Sequence, residues 1–140
     1  MPMIVRSPGR VPGGRTSDHV CAFWDVMPTL SELASVKAPA AIDGISFAPT
    51  LLPSIRRAQP QHEYLYWEFF EGGFQQAIRL GNWKAVRVQS EPVIELYDLE
   101  SDVEEQHDVA ARHPEIVAKA ADILKRARTE SAHWSTSRGR

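Results

Sequence analysis

Cysteine is almost absent: Cys21 stands alone in 140 residues, so no internal disulfide can staple the fold. Its neighbours Val20, Ala22, Phe23 and Trp24 are apolar, the setting of a buried or half-buried structural thiol. Long apolar runs are missing too. Nothing approaches the ~18 consecutive residues of a membrane span, and the N-terminus carries no basic-then-apolar leader. Neither a span nor a signal peptide is expected in these residues, and the compartment stays open. Charge of one sign is also lacking. Sixteen Lys and Arg against eighteen Asp and Glu leave a net charge of -2, too little field to capture a phosphate backbone, which argues against nucleic acid as a partner. Arg6, Arg10 and Arg15 are interleaved with Pro8, Gly9, Pro12, Gly13 and Gly14, a polar turn rather than a basic and aromatic strip. There is no nucleophile elbow, P-loop, dinucleotide fingerprint or thiolate pair.

What is present is the balance of a folded domain, 43% hydrophobic against 24% charged residues, with one modest core as its ceiling. Met3-Ile4-Val5 reads as a short strand ended by Ser7-Pro8-Gly9. From Asp25 the spacing of Val26, Met27, Leu30, Leu33 and Ala34 predicts a helix with one apolar stripe. Asp25 is its expected N-cap, bonding the amide of Met27, because Pro28 at the third position has no N–H to offer. Asp25 as a metal ligand is the weaker alternative, with only His19 loosely spaced to join it. Phe47 to Leu52 suggests a turn or two of helix. Arg56 to Gln61 lacks periodicity and reads as a solvent-facing linker.

Glu63 to Phe70 is dense in aromatics and reads as a strand, with Leu65, Trp67 and Phe69 forming an apolar face expected to meet the core. Two further strands flank Gly81-Asn82, a pair suited to a type II′ hairpin. The second of them, Trp83 to Val88, places Lys84 and Arg87 in its polar set only by a one-residue irregularity. Val93 to Leu99 supplies another strand. Pro114 suits the first position of a covering helix lined by Ile116, Val117, Ala120, Ile123, Leu124 and Ala127 and ending near Thr129 or Ser131. The tail from Trp134 is expected to fray.

Five histidines invite a metal reading. His107, His113 and His133 lack second ligands at helix or hairpin spacing and read as surface residues. His62, just before the aromatic strand, and Glu68 within it could form a polar rim to a pocket. The acidic run Asp98, Glu100, Asp102, Glu104 and Glu105 reads as a solvated loop.

Several stretches, taken in order, resemble one known family. Met3-Ile4-Val5-Arg6-Ser7-Pro8-Gly9, Ser17-Asp18-His19, Asp25-Val26-Met27-Pro28-Thr29-Leu30 and Asp43-Gly44-Ile45-Ser46-Phe47 resemble the later third of type I, arylsulfatase-like sulfatases of the alkaline-phosphatase-like superfamily. Tyr66-Trp67-Glu68, Gly81-Asn82-Trp83-Lys84-Ala85-Val86-Arg87, Glu95-Leu96-Tyr97-Asp98-Leu99 and His113-Pro114 resemble their small C-terminal subdomain. The resemblance implies an α/β parent fold, α+β in this portion. Residues 1–58 would be a remnant of the large α/β domain, 62–134 a small antiparallel subdomain of three to four strands under a C-terminal helix, and 135–140 a disordered tail. Asp25, Pro28, Trp67, Trp83, Tyr97 and Pro114 would be structural, and His62 and Glu68 would line the rim of the substrate cleft.

A complete enzyme of that family hydrolyses sulfate esters with a formylglycine beside a calcium ion. Cys21, followed by Ala22-Phe23-Trp24, does not fit the formylglycine precursor, and the family's metal carboxylates fall before Met1. The resemblance therefore implies a chain that is not catalytic alone, holds no cofactor itself, and has as partner the missing N-terminal sulfatase domain or a second copy, a sulfated substrate belonging only to the complete enzyme. Two other readings compete: a free-standing interaction module using the bare apolar face of residues 3–34, and a small carbohydrate-binding module using Tyr64, Tyr66, Trp67 and Trp83.

Overall fold

The structure, a computed structural model, describes residues 3–71, 73–88 and 93–131. The expected fraying tail lies outside the described residues, as do His133 and Gly72 of the Glu71-Gly72-Gly73 turn. The chain divides into two units, Met1–His62 and Glu63–Arg140.

In the first unit a single 3-10 turn, Phe23–Asp25, leads into helix α1, Val26–Leu33, and a second short helix, α2, spans Ala48–Leu51. Pro28 falls in the first turn of α1, where its missing N–H has no intrahelical acceptor to lose. The buried side of α1 is not the apolar stripe. Pro28 and Thr29 are buried, whereas Phe23, Met27 and Leu30 are 85%, 45% and 58% exposed. Polar chemistry explains the inward side. The Thr29 hydroxyl donates to the Asp25 carbonyl at 2.6 Å and accepts the Phe47 N–H at 3.0 Å, joining α1 to the start of α2. Glu32 accepts the Ser46 hydroxyl at 2.6 Å and the Arg57 guanidinium at 2.7 and 2.9 Å. Phe47, Ala48 and Leu52 are the buried apolar residues that this stitching encloses.

Among the described residues Met3 to Val5 pairs with no strand, and the sheet-edge role expected of it needs a partner from outside them. Two expectations for this unit change. Asp25 sits at the N-cap position but makes no capping bond to Met27, since its carboxylate is engaged elsewhere, as described below. The segment from Arg56 is largely exposed yet not a free linker, because Arg57 is held by Glu32 and Gln59 bonds Thr50 and the Ser46 carbonyl.

The second unit is a four-stranded antiparallel sheet in the order β1-β2-β3-β4, with β1 Leu65–Phe69, β2 Gln75–Leu80, β3 Trp83–Val88 and β4 Ile94–Asp98. Leu80 faces Trp83 across a two-residue turn whose first residue, Gly81, has φ +61°. Asn82 does not share the positive φ, as a type II′ turn requires. Helix α3, Pro114–Arg126, begins at the expected proline, with Glu115 in its first turn and Lys125 and Arg126 in its last, each sign complementing the helix dipole. Ile78, Ala85, Ile94, Leu96, Ala120, Ile123 and Leu124 form the core between sheet and helix. Burying each larger aliphatic contributes about 1.5–3 kcal/mol.

The cross-strand row Tyr66, Ile78, Ala85, Leu96 runs through this core. Leu65, Trp67 and Phe69, one residue out of step, therefore belong to the other face. Leu65 is buried as expected, but Trp67 and Phe69 are 39% and 53% exposed, so the expectation that this face meets the core is overturned for those two. Tyr66 is amphipathic enough to serve instead, its ring packed on the core and its hydroxyl hydrogen-bonded. The one-residue irregularity in β3 is also absent: pairing runs unbroken from Trp83 to Arg87 and Val88. Lys84 and Arg87 lie on opposite faces, Arg87 beside buried Gln76. Finally, α3 stops before Thr129, where Arg128 turns to Glu68 at 3.1 Å.

Gly44 approaches α1 so closely that an added Cβ would overlap the Trp24 carbonyl oxygen and lie 2.9 Å from Pro28 Cγ. Gly44→Ala should lower stability by about 1–3 kcal/mol, read as an earlier urea midpoint in tryptophan fluorescence.

Candidate functional site

A carboxylate is the centre of the first unit. Asp25 is 1% exposed, and its two oxygens are filled. Oδ2 accepts the Ala22 N–H at 2.7 Å, while Oδ1 accepts the Ile45 N–H at 2.7 Å and faces His62 Nε2 at 2.8 Å. The 3-10 turn aims the side chain back along the chain, which is why it is unavailable to Met27. His62, with 12% of its side chain exposed, is thereby fixed at the end of the unit. His19 and Cys21 are the nearby titratable groups. Burial holds the His19 imidazole below its ordinary value against the pull of Asp25, and His62 adds to the lowering. Burial, with Asp25 assisting, pushes the Cys21 thiol up, as expected of a structural thiol.

Glu68 has different company. It lies in the row Glu68, Gln76, Arg87, Ile94 on the α3 side of the sheet. The Tyr66 hydroxyl donates to Glu68 and accepts from Gln76 Nε2 at 2.6 Å. Gln76, 2% exposed, also donates to the Leu124 carbonyl at 3.2 Å, and its carbonyl oxygen accepts from Arg87. Burial first, then the hydrogen bond to Glu68, pushes the Tyr66 hydroxyl up to about 12. Glu68 and Gln76 thus close one polar network that sequence periodicity could not reveal, because Gln76 reads as an ordinary surface residue. His62 and Glu68 are each engaged within their own unit.

The remaining singled-out residues stiffen the second unit. Trp83 packs on the core and its ring lies 4.7 Å from that of His113, the residue capping α3. Tyr97 donates to Glu95 at 3.0 Å, and burial raises it to about 12. Tyr64, Tyr66 and Trp83 pack on the α3 core while Trp67 lies on the opposite face, so the four aromatics are not one stacking platform. The acidic loop is more ordered than a solvated run. Asp102 accepts the N–H groups of Gln106 and His107 at 3.1 and 2.8 Å, and Asp108 those of Leu96 and Ala110 at 3.0 and 2.9 Å. Among the described residues no group of three or more His, Cys, Asp or Glu is arranged to hold a metal ion. No helix among them is long and apolar enough to cross a membrane.

The family model for the C-terminal domain of N-sulphoglucosamine sulphohydrolase matches residues 1–130. The chain belongs to this sulfatase family. An uncharacterized sulfatase of Schizosaccharomyces pombe is 33% identical over 127 residues, covering 83% of this chain and 22% of the relative. The N-acetylglucosamine-6-O-sulfatase of Bacteroides thetaiotaomicron is 25% identical over 134 residues, covering 89% and 24%. Among solved structures, Ps i-CgsB superposes with a TM-score of 0.71 at 27% identity over 86% of this chain and 27% of that one. BT1596, a 2-O GAG sulfatase, superposes with a TM-score of 0.63 at 27% identity over 72% and 23%. The sulfatase chain thus spans about a quarter of the length of these relatives, and its helix-covered sheet is a portion of the alkaline-phosphatase-like sulfatase fold.

The Tyr66 network carries a pH consequence. A phenol ordinarily near 10 and raised to about 12 in the fold keeps its proton when the unfolded chain has lost it. Its stability contribution is whole below about pH 10 and is lost as pH rises toward 12. An alkaline titration of phenolate absorbance should show two phenols ionising near pH 12, Tyr66 and Tyr97, and Tyr66→Phe should halve that amplitude, with about 1 kcal/mol of stability lost at neutral pH.

Proposed function

We propose that this sulfatase chain is the C-terminal portion of a sulfuric ester hydrolase, that it braces the catalytic part and lends His62 and Glu68 to the rim of the substrate cleft, and that it does not hydrolyse esters alone. The observation that carries this reading is the bare apolar side of the 3-10 turn and α1. Phe23 of the turn and Met27 and Leu30 of the helix, at 85%, 45% and 58% exposure, follow helical spacing, and Ala34 continues the stripe in sequence. An uncovered stripe of this kind is an interface surface, and the three-quarters of the relatives' length that this chain does not span offers the cover. Bracing and self-association both follow from that stripe; the inward, hydrogen-bonded side of α1 is already satisfied by the unit itself.

The calcium and formylglycine of a complete family enzyme do not fit the described residues. The deeply buried carboxylate, Asp25, has both oxygens occupied by N–H donors, and Cys21 is followed by Ala22-Phe23-Trp24 instead of the precursor pattern. No chemical step is therefore assigned to this chain. For the substrate of a complete enzyme we favour a sulfated sugar, the class named for the Bacteroides thetaiotaomicron N-acetylglucosamine and N-acetylgalactosamine 6-O-sulfatases and for the ulvan-active sulfatase of Formosa agariphila.

The purified chain should give no turnover of a chromogenic aryl sulfate and should acquire it when joined to an N-terminal sulfatase portion carrying the cysteine motif. Turnover by the chain alone would refute the reading. In analytical ultracentrifugation the chain by itself should self-associate or bind an apolar dye, and both signals should fall in Met27→Glu/Leu30→Glu; a dilute, dye-silent monomer would remove the role assigned to the stripe.

A further inference from the structure

The bond between Asp25 and His62 determines more than position. Oδ1 already accepts the Ile45 backbone N–H, a group that can only donate. The ring nitrogen that faces the same oxygen at 2.8 Å must therefore bring the proton. In a neutral imidazole only one nitrogen carries hydrogen, so a proton held on Nε2 leaves Nδ1 with its lone pair. Among the described residues no hydrogen bond takes up Nδ1, and the side chain keeps 12% of its surface open.

We infer that Asp25 is a positioning residue which locks His62 in its Nε2-protonated form, so that Nδ1 accepts a hydrogen bond from a ring hydroxyl of a sulfated sugar. The inference rests on the rim reading above and sharpens it. A bare lone pair attracts an O–H donor and repels a sulfate oxygen, which has no proton to give. His62 thus reads the sugar and not the ester. Its neighbour Asp25 cannot do so itself, being sealed at 1% exposure with its oxygens filled.

Two measurements test this. Long-range imidazole nitrogen NMR of the 140-residue chain should show His62 with a protonated Nε2 and an unprotonated Nδ1. The opposite tautomer, a mixture, or a ring protonated on both nitrogens overturns the role of Asp25 whatever the enzyme does. In the complete enzyme, the ratio of kcat/KM for a sulfated sugar to that for an aryl sulfate lacking hydroxyls should fall about tenfold in His62→Leu, the worth of one lost hydrogen bond. His62→Gln should restore the ratio to within about threefold, because its amide donates to Asp25 while its carbonyl accepts the hydroxyl. A ratio unmoved in His62→Leu overturns the sugar contact even if the tautomer is as expected. Failure of the unsubstituted complete enzyme to hydrolyse either ester would instead sink the sulfatase reading, while the NMR result would still decide what Asp25 does.

Discussion

A carboxylate taken out of water must be given donors in place of the water it lost, or the fold that buries it is destabilised by several kcal/mol. Asp25 obtains them from three separate places, the Ala22 and Ile45 backbones and the His62 ring. Those bonds bring the approach to α1, the loop before α2 and the end of the 56–62 segment to one point. Thr29 and Glu32, one turn and two turns further along α1, repeat the pattern with Phe47, Ser46 and Arg57. The first unit is therefore organised by a polar seam on one side of a helix, while Met27 and Leu30 on its apolar side stay exposed.

The second unit is built the opposite way. Its core is a continuous apolar layer between α3 and one face of the sheet, and at one end of that face Glu68, Gln76 and Arg87 stand beside one another. Buried amides and phenols are tolerated there because each finds a partner, and such a satisfied network specifies register as well as stability. Shifting β1 by one residue would place Trp67 against Ile78 and strip Gln76 of Tyr66, so the aromatic strand has one favoured pairing.

This division suits a portion of a larger sulfatase. A free-standing domain of such size usually spends its apolar surface on itself. Here Phe23 of the 3-10 turn and Met27 and Leu30 of α1 stay in the open while hydrophilic residues of α1 face inward, the kind of exposed stripe that marks an interaction surface.

Element type was largely legible in the sequence, because it depends on local spacing. The three- and four-residue periodicity announced α1 and α3, Pro114 marked where α3 begins, Gly81-Asn82 implied the β2–β3 hairpin, and eight short stretches in family order carried the resemblance to sulfatases. Facing was not legible. Leu65, Trp67 and Phe69 look like a core face until cross-strand pairing sets Tyr66 beside Ile78. Asp25 looks like a cap, since a cap is the local use of such a residue, yet its partners Ile45 and His62 are 20 and 37 positions away. Spacing along a chain reports which side chains share a surface; only the closed fold reports what that surface meets, because hydrogen-bond partners of a buried group are chosen by distance in space and not along the backbone.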